Sequence, residues 1–167
     1  MSRPSLVLRL AAVAAFGTLL PVTASSQPRA DVLREAHEPT IERAREGAVR
    51  RIEQPGCQRL LDEFKDRSGR SLRENLATWN RSAADYLRTM PFRDGSFHPF
   101  CRSAKSALVS VVGMRPVFVC PSFRKEAQRD PWSAESWIIH EMLHTLGLGE
   151  NPPSSREITQ RVNERCQ

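Results

Sequence analysis

His140-Glu-Met-Leu-His144 sets two histidines four positions apart, with a carboxylate directly after the first. On a helix of about 3.6 residues per turn both imidazoles leave the same face, one above the other, where they can share one Zn²⁺. Glu141 then lies beside a metal ligand without being one. A zinc ion lowers the pKa of a water from about 15.7 towards about 7, and a neighbouring carboxylate can take its proton as the oxygen attacks a carbonyl. Glu141 is therefore the expected catalytic group, and the chemistry expected is hydrolysis.

A catalytic zinc keeps one coordination position for solvent, so a further protein ligand must join the histidines. Downstream, Thr145-Leu-Gly-Leu-Gly-Glu150 extends the spacing to H-E-x-x-H-x-x-G-x-x-E. A sharp turn permitted by Gly147 would swing Glu150 back onto the ion, which makes His140, His144 and Glu150 the preferred ligand set. Glu157 competes, although Ser154-Ser-Arg-Glu157 also reads as a capping box that starts a helix. Glu164, on the predicted final helix, is the third candidate. Tyr86 is expected in the core rather than at the site, and His37 and His98 on the surface or in turns. Trp79, Trp132 and Trp137 are expected inside.

These groups need elements to position them. Ile41, Ala44, Ala48, Val49 and Ile52 recur at helical spacing, which predicts a helix over 40–54 closed by Pro55-Gly56. Leu60, Leu61 and Phe64 predict a second over 57–65, and Ser71-x-x-Glu74 caps a third that buries Leu72 and Leu76. A further turn or two should end near Met90, and Phe92-Arg-Asp-Gly95 reads as a turn. Ala107–Val112 and Pro116–Cys120 are β-branched runs around Gly113, a predicted hairpin. Prolines at both ends of the second run make it an expected edge strand. The helix carrying His140 and His144 is expected to start at an Ser133 N-cap and stop at Gly147.

The 167 residues suit one domain, with 40% hydrophobic content and 26% charged residues. That balance excludes a wholly disordered chain. The formal charge of +6 comes almost entirely from arginine, without a long basic run, so no nucleic-acid partner is expected. Residues 1–24 have the layout of a secretory signal peptide: Arg3 and Arg9, then an Ala-rich apolar stretch, then small residues before Ser25. Residues 25–39 read as a flexible lead-in and 40–167 as the folded domain. Export, to a periplasm or the extracellular space, leaves no stable membrane insertion after cleavage. It also turns Cys57, Cys101, Cys120 and Cys166 into a disulfide framework. Of three possible pairings, Cys101 with Cys120 and Cys57 with Cys166 is preferred.

The site residues resemble the zincin metallopeptidases. Gly147 and the position of Glu150 are similar to the metzincin extension of the motif, and Val117-Phe-Val-Cys-Pro-Ser-Phe123 ahead of the zinc helix is similar to the deuterolysin-like aspzincins. No methionine follows Met142 to form a metzincin Met-turn, and the aspzincin Gly-Thr-x-x-Asp motif is absent. The resemblance covers about residues 116–159. It implies an α+β, zincin-like fold with N-terminal helices, a small sheet with an edge strand, the HExxH helix and a short C-terminal helix. It implies a secreted zinc metalloendopeptidase acting on a protein or peptide substrate, with Glu141 as general base, His140 and His144 as ligands, and Glu150 carried over by position. Substrate would pair with the edge near Val117–Val119. Two competing readings are a secreted zinc-binding or protein-interaction module without turnover, which would be expected to lose Glu141, and an envelope-interaction protein using its basic helical half.

Overall fold

Ile41, Ala44, Ala48 and Ile52 lie buried along one face of α1 (Glu38–Ile52), as their spacing requires. The computed structural model describes residues 38–103 and 106–167, so the segment expected to be a signal peptide, most of the expected lead-in and His37 lie outside the described residues. Pro55 opens α2 (Pro55–Gln58) instead of merely ending α1, and the predicted second helix is divided at Arg59 into α2 and α3 (Leu60–Glu63). The division follows from a tie to the far end of the chain. A Cβ on Gly56 would lie 2.6 Å from the Arg165 carbonyl oxygen, and Cys57 is bonded to Cys166.

Ser71 caps α4 (Leu72–Thr78) through a complete capping box with Glu74. Trp79, expected inside, is 47% exposed at the end of α4 and stacks on the Tyr86 ring at 5.6 Å. Tyr86 itself, on α5 (Ala83–Arg88), is fully buried and donates its hydroxyl hydrogen to Thr145 Oγ1 at 3.0 Å. Trp132 and Trp137 are partly buried against the core.

The segment read as a turn at 92–95 contributes β1 (Phe92–Asp94), followed by α6 (Pro99–Ser103), β2 (Leu108–Ser110) and β3 (Val117–Val119). β2 and β3 form the predicted antiparallel hairpin, with Val109 opposite Phe118. The edge assignment of β3 is wrong, because β1 pairs with it in parallel and the sheet order is β1-β3-β2. Pro116 and Pro121 sit just outside Val117–Val119, so neither removes a donor from the paired residues. β2 is the strand left at the edge beside the site. Cys101 and Cys120 are bonded, as are Cys57 and Cys166, in agreement with the preferred pairing.

A helix not foreseen in the sequence, α7 (Phe123–Arg129), buries Phe123 and Ala127 and leads into α8 (Pro131–Thr145). The N-cap of α8 is Asp130, not Ser133. The Asp130 carboxylate accepts from Ser133 N–H, and Pro131 stands in the first turn, where its missing N–H costs nothing. Ala134, Ile138, Ile139, Met142, Leu143 and Thr145 are all buried, so α8 is enclosed on most sides. α1 packs against it so closely that a Cβ on Gly47 would overlap the Glu135 side chain, 2.1 Å from Oε1. Glu135 accepts from Arg51 Nε at 2.5 Å, while the same guanidinium lies 3.7 Å over the Trp132 ring and donates to the Cys166 carbonyl. α9 (Ser155–Arg165) completes the chain, starting at the Ser154–Glu157 capping box and burying Ile158 and Val162. Among the described residues no helix is long and apolar enough to cross a membrane.

Candidate metal centre

α8 puts His140 and His144 on one face, one turn apart, with their Nε2 atoms 3.0 Å from each other. Each ring is fixed by its other nitrogen. His144 Nδ1 lies 2.8 Å from the Leu148 carbonyl, which can only accept, so Nδ1 is the donor there and Nε2 is the nitrogen turned towards His140. His140 Nδ1 lies 3.0 Å from Thr159 Oγ1 on α9. Burial, with a smaller contribution from His144, holds the His140 imidazole down at about 3, so it is neutral at ordinary pH.

The turn that follows brings in the carboxylate. Gly147, at φ +110°, donates from N–H to the His144 carbonyl, and Leu148 N–H reaches back to the Leu143 carbonyl, a Schellman closure. Asn75 Nδ2 donates both to the buried Leu146 carbonyl at 2.9 Å and to Asp66 Oδ2 at 3.0 Å, tying the turn to α4 and the loop before it. Glu150 Oε1 arrives 3.3 Å from His144 Nε2. His140, His144 and Glu150 offer ligand atoms all within 4.8 Å of one another, a group that could hold a metal ion. Donors about 2.0–2.2 Å from a tetrahedral ion lie about 3.3–3.6 Å apart, and the spacings of 3.0 and 3.3 Å are close to that range.

The competing ligands are accounted for elsewhere. Glu157 accepts from Ser154 N–H and Oγ in the cap of α9, and Glu164 accepts from Gln160 Nε2. His98 stacks on Phe118 at 4.6 Å, apart from the metal group.

Glu141 points to the same side as the ligands but makes a different bond: its Oε2 accepts from Ser110 Oγ at 2.5 Å. Burial raises its pKa, and the Ser110 bond opposes that shift. The group lies where two clefts meet. One, of about 390 Å³, runs past Arg67, Phe100 and the β2 residues. The other, of about 690 Å³, runs past Glu126, Trp137 and Thr159. A slightly larger cleft of about 720 Å³ lies between α3 and α9, but its lining includes Glu63 paired with both Arg161 and Arg165.

Ser110, Thr159 and Asn75 were not singled out from the sequence. Asn75 alone leaves a trace there, as a polar residue on the helical face shared by Leu72 and Leu76. The chain is an α+β protein with a candidate metal centre. Compared with family models, curated proteins and solved structures, it matches none of them.

Proposed function

We propose that the chain is an exported zinc-dependent peptidase in which His140, His144 and Glu150 hold the ion and Glu141 moves the proton. The observation that carries this reading is the convergence of two imidazole nitrogens and one carboxylate oxygen, with a second carboxylate in the same cleft. When bound there, zinc supplies Lewis acidity and lowers the pKa of water. Glu141, its pKa raised by burial, accepts a proton at an Oε atom and passes it to the leaving amine. Ser110 Oγ–H holds that carboxylate in place. Among the described residues β2 pairs only with β3, so its second edge can take an extended peptide through main-chain hydrogen bonds. This replaces Val117–Val119 as the docking edge. Two disulfides support export.

The test is metal analysis of the purified protein followed by digestion of an unstructured protein, with and without chelator and with Glu141→Gln. Stoichiometric zinc is expected, with turnover lost to chelator, restored by zinc, and lowered by about 10²–10⁴-fold in the variant. Zinc bound without turnover by wild type would overturn the peptidase reading in favour of a binding module.

A further inference from the structure

Arg67 lines the cleft of about 390 Å³ that contains His140, Glu141, His144 and Glu150. It sits in the loop between α3 and α4, and this loop is braced: Asp66 Oδ1 accepts from Ser68 N–H, Ser68 Oγ and Arg70 N–H. Its stem crosses the turn that carries Glu150, since a Cβ on Gly149 would lie 3.4 Å from Arg67 Nε and 3.7 Å from its Cγ. Four other arginines of the neighbouring elements are matched. Arg70 pairs with Asp66, Arg73 with Asp62, and Arg161 and Arg165 with Glu63. Arg67 has no ion pair or hydrogen bond among the described residues. A guanidinium held beside a reaction cleft but unmatched inside the fold is free to pair bidentately with a carboxylate from outside. The same cleft is walled by Phe100, Leu108 and Val112, which suit an apolar side chain. Glu150 does not compete for this role, because it belongs to the metal-holding group.

The geometry points to Arg67 as the residue that recognises a substrate carboxylate, so that the cleft selects peptides bearing an acidic side chain or a free C-terminus next to an apolar residue. This rests on the peptidase reading and names the substrate class of that site.

The test separates binding from turnover. Zinc-loaded Glu141→Gln protein, with and without Arg67→Gln, is titrated by fluorescence anisotropy with three labelled peptides of one apolar sequence. One carries Glu with an amidated C-terminus, one Gln with an amidated C-terminus, and one Gln with a free C-terminus. One of the carboxylate peptides is expected to bind about tenfold more tightly than the fully amidated peptide, and its identity tells side chain from chain terminus. The advantage should vanish in Arg67→Gln, survive in part in Arg67→Lys, and turn into a disadvantage in Arg67→Glu. No carboxylate advantage, or one that persists in Arg67→Gln, overturns the proposal. Cleavage of the same peptides by protein retaining Glu141 reports separately on the peptidase reading. Turnover without a carboxylate preference removes Arg67 alone, and a preference without turnover removes catalysis alone.

Discussion

Replacing Gly147 by alanine asks whether backbone shape holds Glu150 at the histidines. Gly147 has φ +110°, beyond the region that residues with a Cβ ordinarily enter. A Cβ there would also lie 3.2 Å from Asp66 Cβ and 3.5 Å from Asn75 Nδ2. Asp66 cannot swing aside, because its Cβ adjoins the backbone and its carboxylate is bonded by Ser68, Arg70 and Asn75. Such a backbone conformation costs about 1–3 kcal/mol for a residue other than glycine. Gly69 is the control: it has φ +84° and nothing within 4 Å, so Gly69→Ala carries the backbone cost alone. At roughly 4 °C per kcal/mol for a domain of this size, Gly147→Ala should lower Tm by roughly 8 °C and Gly69→Ala by about half of that. The turn should also distort, moving Glu150 and weakening zinc binding by at least about tenfold, whereas Gly69→Ala leaves affinity unchanged. Thermal unfolding by circular dichroism and a competitive chelator titration read the two effects. Wild-type affinity in Gly147→Ala, with a Tm loss no greater than that of Gly69→Ala, would refute the reasoning.

Thr159→Val removes the oxygen beside His140 Nδ1 while keeping the side-chain shape. It should lower zinc affinity by about 10–100-fold without changing the far-ultraviolet spectrum, and an unaltered affinity would deny Thr159 its orienting role. Hydrogen bonds from Ser68 and Asn75 hold the Asp66 carboxyl far below its ordinary 3.8. The unfolded chain therefore takes up this proton more readily, so the stabilisation is complete above the ordinary value and drains away as pH falls below it. Asp66→Asn should flatten the acid limb of urea midpoints measured from about pH 3 to pH 6, and an unchanged limb would count against it. The Cys57–Cys166 link closes 109 positions and Cys101–Cys120 closes 19, so paired Cys→Ala replacement should cost about 4–5 kcal/mol for the first and about 3 for the second. A reversed order in denaturant titrations would contradict the loop-length argument.

Local signals in the chain carried far. The capping boxes at Ser71 and Ser154 start helices where their spacing places them, because each satisfies its helix end with residues only three positions apart. The one-turn spacing of His140 and His144, the Gly147 stop and the return of Glu150 are equally local, and the structure brings all three side chains together. What sequence could not convey are pairings fixed by distant partners. β1 has three residues and no alternation to read, and it is a strand only because β3 lies alongside it. That same pairing moves β3 from the edge to the centre. Ser110 reaches Glu141 across 31 positions and leaves no periodic trace, while Asn75 reaches Leu146 across 71 and shows in the sequence only as a polar residue on a buried helical face. Trp79 shows the converse: its large ring suits a core, but α4 ends beneath it and Tyr86 takes the buried place.

The tight seam at Gly47 gives an unassuming position wide reach. Any larger residue there must evict Glu135 from its seat against α1, and Glu135 is the anchor of Arg51. Arg51 in turn touches both Trp132, at the root of the histidine helix, and the carbonyl of Cys166, at the chain's far end. Substitutions at position 47 should therefore be felt both at the start of the histidine helix and at the C-terminal disulfide, although the position bears no side chain of its own.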